Sequence, residues 1–246
     1  MTNTGLKAIS ADQHVSVVAD TIQGKADDQR IDEWELKDAR RALVNLRELL
    51  YGQPMRELLS AQIEEADRRM KHYLADSNGE FTETQVILRA QGLKGSDLFS
   101  AIGASLAAVV GPPEQVREAA IETVFPMHPE HYALPPYRGA IETMGGIPTR
   151  SRVFVLEEAP AFVTAFLDES YPIRGIGAAE LDDGTLFTYV LQQFKDTDDG
   201  MEANLRIWYP AACPPIYLEE HAEHYTVEFR NSLRMVAAAQ DHQSQV

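Results

Sequence analysis

Apolar side chains return at three- and four-residue steps over residues 35–51, where Leu36, Ala39, Leu43, Leu46 and Leu50 line one face. That period predicts an amphipathic helix from Glu35 to Tyr51, punctuated by Gly52 and Pro54. A second helix is predicted from Met55 to Leu74, with Leu58, Leu59, Ile63, Ala66 and Met70 inward. After the turn signal Ser77-Asn78-Gly79 the period falls to two, so Phe81–Ala90 reads as a strand. Ser96 caps a short apolar helix reaching Val110, and Pro113–Val124 restarts as another. The stretch Pro126–Pro148 mixes prolines, glycines, histidines and tyrosines without rhythm and reads as an irregular loop of the kind that carries function.

Beyond it strands are predicted at Arg152–Leu156, Ile173–Leu181, Thr185–Phe194 and Met201–Tyr209. Asp182-Asp183-Gly184 and Asp198-Asp199-Gly200 form the tight turns before the last two. Residues 159–168 fit a helix or a strand equally. Pro214-Pro215 then open a long helix to about Ala239. The fold class expected is α+β: N-terminal helices, an antiparallel β meander and a long C-terminal helix. Residues 1–33 read as a flexible tail or a short helix against a partner chain. Residues 34–246 read as a single domain, mainly helical over 34–125 and sheet plus helix over 126–246.

Composition narrows the function more than the fold. A net charge of -16 opposes binding to nucleic acid or to anionic lipid, both of which require clustered cations. Cys213 is the one cysteine, which leaves no intramolecular disulfide and no thiolate zinc knuckle. No leader-like apolar run is present, and Ala101–Val110 is too short to span a bilayer, so the expected setting is the cytoplasm. The apolar face of the second helix and the polar tail make a homodimer the oligomer to expect.

On the last helix Leu218, Ala222, Tyr225, Phe229, Leu233 and Val236 form an apolar stripe. His221, His224 and Glu228 stack along its margin, where a helix lines a pocket. An imidazole and a carboxylate one turn apart can chelate Zn2+, Fe2+ or Mn2+, although a solvated acidic face of the same helix would present these residues too. His128 and His131 form a second close pair in the irregular loop. A strand carboxylate, Glu157 or Glu158, would complete a set of ligands drawn from separate segments. Glu64, Glu65 and His72 lack the companion motif of a di-iron bundle. Gly175 and Gly177 precede no phosphate-binding helix, and no Gly-x-Ser-x-Gly elbow occurs.

Two segments resemble the phloretin and diacetylphloroglucinol hydrolases. One is the order Gly200-Met201-Glu202, Leu205-Arg206-Ile207-Trp208 and then His224-Tyr-Thr-Val-Glu228. The other is Phe125-Pro-Met-His128-Pro129. The resemblance covers the last half of the chain. It implies a Bet v 1-like helix-grip fold and a zinc-dependent hydrolase that cleaves the bond between an aromatic ring and an acyl carbonyl. It also implies His128, His224, Glu228 and one of Glu157 and Glu158 as metal ligands. His131, Tyr132, Tyr137 and His221 are the candidate acid/base groups. The competing readings are a metal-free helix-grip binder of a small hydrophobic ligand, and a cyclase or dehydratase using histidine alone.

Overall fold

The computed structural model describes residues 17–22, 24–108, 112–134 and 139–243. They fall into two compact units, one ending at Asn45 and one starting at Leu46. In the first, strands β1 (Ala19–Thr21) and β2 (Gly24–Ala26) form an antiparallel hairpin. Helix α1 (Asp28–Leu49) begins earlier than its apolar period suggests. Asp27 caps it, its carboxylate accepting the Arg30 amide at 3.0 Å, which satisfies one of the orphaned first-turn donors.

In the second unit, helix α2 (Gln53–Ser77) ends on Asn78 in the left-handed conformation and leads into strand β3 (Phe81–Gln91). Helices α3 (Gly95–Ala108) and α4 (Pro113–Ala119) follow. Instead of running on to Val124 as one α-helix, α4 widens into a π-turn at Ala120–Val124 and closes with the short α5 (Phe125–Met127).

The loop expected at 126–148 is largely sheet. It contains β4 (His131–Ala133), β5 (Gly139–Met144) and the start of β6 (Ile147–Val155). Gly145 and Gly146, at φ 59° and 74°, make the tight β5–β6 turn that only positive-φ residues close without strain. Helix α6 (Ala161–Thr164) settles the ambiguous 159–168 stretch as a short helix. Strands β7 (Ile173–Glu180), β8 (Leu186–Asp196) and β9 (Gly200–Pro210) complete the meander, and helix α7 (Ile216–Gln243) ends it.

All seven strands of the main sheet pair antiparallel in the order β3-β9-β8-β7-β6-β5-β4. The sheet curls beneath α7, an arrangement compatible with a helix grip. Alternate residues of β9 face the core: Met201, Ala203, Leu205, Ile207 and Tyr209 join Tyr225, Phe229 and Leu233 of α7 there. Trp208 packs on the opposite face with Val163 and Phe162 of α6. Among the described residues no helix is long and apolar enough to cross a membrane.

Candidate metal centre

Helix α7 turns Tyr225, Phe229 and Leu233 into the core, and its margin then carries His221, His224 and Glu228 along one edge. One helical turn brings His224 Nε2 to 3.7 Å from a Glu228 carboxylate oxygen. From the other side, the β4–β5 ladder sets His131 directly opposite Glu142. Facing residues in a ladder project to the same side, and here that side faces α7. His131 Nε2 lies 3.2 Å from His224 Nε2, 3.6 Å from Glu142 and 4.0 Å from Glu228. Glu142 is 3.5 Å from His224 Nε2. His131, His224 and Glu142 therefore face one another from three segments, with the Glu228 carboxylate beside both imidazoles.

The proton position on His131 favours a lone pair facing inward. His131 Nδ1 lies 2.8 Å from the Val124 carbonyl. A carbonyl only accepts, so Nδ1 carries the proton and Nε2 presents its lone pair to the cluster. The same arrangement orients metal-bound imidazoles elsewhere. His224 Nδ1 is buried with no partner among the described residues, while its Nε2 faces the His131 Nε2 lone pair at 3.2 Å, so without a cation Nε2 carries the His224 proton and ligation would move it to Nδ1. His128 stacks on His224 with ring centroids 3.9 Å apart, and its Nδ1 accepts the Glu130 amide at 3.1 Å. His128, His131 and His224 each offer a nitrogen, all within 4.8 Å of one another.

Burial dominates the electrostatics. It pushes Glu142 up to about 8, with the neighbouring carboxylates of Glu228 and Glu130 adding to the rise. Glu228 is pushed up to about 7 by burial alone. Burial holds His131 down to about 4 and His221 to about 3, and it keeps His224 well below the usual histidine range. The imidazoles are thus neutral at pH 7 and able to ligate. The carboxylates sit where their negative charge lacks compensation.

The expected residues divide cleanly. His128, His131, His221, His224 and Glu228 are brought together, with His221 one turn before Tyr225 and 3.0 Å from the Tyr209 hydroxyl through Nδ1. Tyr132 is not among them. It neighbours His131 on β4 and so points to the other side, where it packs with Met55, Leu59 and Ile63 and meets Thr143 Oγ1 at 3.3 Å. Tyr137 lies outside the described residues.

Glu157 and Glu158 stand exposed in the bend after β6. Thr149, the cross-strand neighbour of Glu142, lies eight residues before Glu157, which at ~3.3 Å per residue is roughly 25 Å of strand. The strand carboxylate in the cluster is Glu142, which a reading of 126–148 as loop concealed. The signal for it was present: Gly145-Gly146 between Ile141-Glu-Thr-Met144 and Ile147 is a hairpin signature.

A pocket of about 360 Å³ opens beside His128 and His224, with Glu130, Glu220 and Glu223 in its wall. Glu220 also accepts the Gly146 amide at 2.6 Å, tying α7 to the β5–β6 turn. The same wall charge that would attract a cation would repel an anionic ligand. No family model matches the chain, and no curated protein matches it either.

Proposed function

We propose that this protein is a divalent-metal-dependent hydrolase acting on a small aromatic or polyketide-like ketone. The observation that carries the reading is the approach of His131 Nε2, His224 Nε2 and one Glu142 oxygen to within 3.2–3.6 Å of one another, with a Glu228 oxygen 3.7–4.0 Å from each imidazole. Ligands held at ~2.0–2.1 Å around a tetrahedral zinc stand roughly 3.3 Å apart. Most of the observed spacings are too long for good hydrogen bonds but suit groups that share a cation. Two neutral imidazoles and two carboxylates would also leave a +2 ion balanced in charge, which offsets the cost of burying both acids. His128 lies within reach as a further nitrogen ligand.

A divalent cation supplies Lewis acidity that polarises a carbonyl and makes water acidic near neutral pH. The residues supply the rest. Hydrolysis of an acyl–aryl bond gives the acyl carbon a hydroxyl and the ring carbon a proton as the carbon–carbon bond breaks. We assign that proton transfer to His221, whose ring stacks on His224 with centroids 5.3 Å apart. Burial keeps the Tyr209 phenol protonated, and taking it as donor to His221 Nδ1 leaves the ring proton on Nε2. His221 Nε2–H can give its proton to the ring carbon while Nδ1 takes the Tyr209 proton, and the proton released by the attacking water restores the phenol. The choice of an aromatic ketone rests on the resemblance of the segments at 125–129 and 200–228, within a Bet v 1-like helix grip.

The test is the metal content of purified protein by plasma mass spectrometry, on wild type and on His224→Ala and Glu228→Ala. Near one zinc, iron or manganese per chain, absent from both variants, is expected, and acyl-phenols are then the substrates to screen. A wild-type protein that stays metal-free after reconstitution refutes the reading. That result would favour the second one, a binder of a small hydrophobic ligand. Its support is that Val153 and Val155, on the sheet face turned toward α7, are 40% and 75% exposed.

A further inference from the structure

We infer that Arg47 and Asn231 are positioning residues that hold the His128–His131 loop, Asn231 from α7 and Arg47 from the last turn of α1; the inference rests on the metal-site reading above. Residues 113–127 form one helical stretch, and its last carbonyls have no partner along the helix. Each of them is met by a side chain. Val124 O receives His131 Nδ1–H at 2.8 Å, and Phe125 O receives Arg47 Nη1–H at 3.1 Å. Asn231 Nδ2 reaches Met127 O at 2.8 Å and Pro126 O at 3.5 Å. One residue on, His128 O is held by Arg47 Nη2 at 3.4 Å. Three side chains therefore cap one helix end, and one of them is itself a member of the cluster.

Two details separate this from ordinary packing. Arg47 is 1% exposed, has no carboxylate within ion-pairing distance among the described residues, and leaves its Nε unpartnered. A buried guanidinium in that state is costly, and a helix C-terminus, with its partial negative charge, is the neutral feature that best repays it. Asn231 has a fixed orientation, because its Oδ1 accepts from Arg230 at 3.2 and 3.3 Å while Nδ2 faces the loop carbonyls. Asn231 lies three residues after Glu228 on the same helix. A shift of the loop relative to α7 must therefore break the Asn231 bond before it separates His131 from His224.

The experiment compares Asn231→Leu, Arg47→Met and Arg47→Lys with wild type and with Thr188→Val. Thr188→Val is a control that removes a buried side-chain bond to a backbone carbonyl, that of Trp208, far from the loop. Zinc affinity is measured by competition with a chromophoric chelator. The His131 tautomer is read from long-range 1H–15N spectra of the metal-free proteins.

Asn231→Leu and Arg47→Met should weaken zinc binding 10–100-fold, the range typical of outer-shell partners. Both should replace the Nδ1–H signature of His131 with a tautomer average. Arg47→Lys, which keeps the charge and one donor, should fall between them and wild type. Thr188→Val should lose thermal stability with its zinc affinity within threefold of wild type. The inference is overturned if the His131 signature persists in both Asn231→Leu and Arg47→Met, or if affinity falls equally in Thr188→Val. If wild type binds no zinc, the metal reading fails, while the tautomer spectra still decide the role of Arg47 and Asn231.

Discussion

Loading the site with zinc should release protons, and the number follows from the two buried acids. With Glu142 at about 8 and Glu228 at about 7, the metal-free protein at pH 7 holds ~0.9 proton on the first and ~0.5 on the second. The imidazoles of His131, His221 and His224 are depressed by burial and already neutral, so they contribute none. Binding that requires both carboxylates ionised therefore expels ~1.4 protons at pH 7, and only ~0.1 at pH 9. The apparent affinity should rise with pH at the matching slope, roughly 25-fold per unit near neutrality. Calorimetric titration of metal-free protein in buffers of different ionisation enthalpy measures the count directly. Replacing Glu142 by Gln should remove ~0.9 of it at pH 7. Histidine ligands with an ordinary pKa near 6.5 would instead give a release centred below pH 7 and insensitive to Glu142→Gln. That pattern would falsify the placement of Glu142 and Glu228 as the linked acids.

Glu142→Gln should also change the stability of the metal-free fold in a pH-dependent way. A carboxyl whose folded pKa is raised keeps its full stability only below the unfolded value of 4.5 and loses it as pH climbs toward 8. Denaturant melts should therefore find the variant roughly 1.5 kcal/mol less stable at pH 5, where burial of the amide dominates, and roughly 2 kcal/mol more stable at pH 8. A gain that shrinks with pH would reverse the sign of the argument. Glu157→Ala and Glu158→Ala should retain wild-type metal content, since both side chains lie exposed beyond β6; metal loss in either would return them to the site. Gly145→Ala should lower the melting temperature by roughly 5 °C or more. The residue sits at φ 59° and a Cβ there would run into the Tyr217 ring, so an unchanged melt contradicts the turn geometry. Combining Glu220→Gln with Glu223→Gln should slow zinc uptake at low salt in stopped-flow, with the difference fading at high salt. Equal rates at low salt would show that the acidic wall plays no part in uptake.

Much of the fold was legible because it follows from periodicity. The stripe on α7 and the alternation in β9 each oppose one solid core, so pattern and structure agree residue by residue. The margin trio His221, His224 and Glu228 was legible for the same reason, since a helix fixes its own side-chain neighbours. Legibility failed where the partner is set by pairing between strands. Glu142 reaches the cluster only because β4 and β5 align it with His131, and no local pattern encodes that register. Glu157 and Glu158 were attractive as a paired carboxylate at a strand end, yet the ladder carries them away from α7. Tyr132 fails for a related reason: strand alternation sends it to the face opposite His131 once β4 is recognised as a strand. Arg47 and Asn231 were invisible, because a side chain that caps another segment's carbonyls leaves no spacing signature of its own.

The choice between a metal site and a plain ligand cavity turns on what a cavity would tolerate. A helix-grip binder is most stable when the space between sheet and helix is lined by apolar groups. Placing Glu142 against the Glu228 edge of α7, with His131 and His224 neutral beside them, costs several kcal/mol in the absence of a cation, because each carboxylate must either hold a proton or remain charged with little access to water. A fold with only ~5–15 kcal/mol of net stability does not carry that penalty beside an oriented imidazole lone pair and a capped loop without compensation. A divalent cation compensates both carboxylates at once and uses both imidazole lone pairs. Surface decoration does neither, since His131, His224 and Glu142 are largely shielded from water and Glu228 is only 26% exposed.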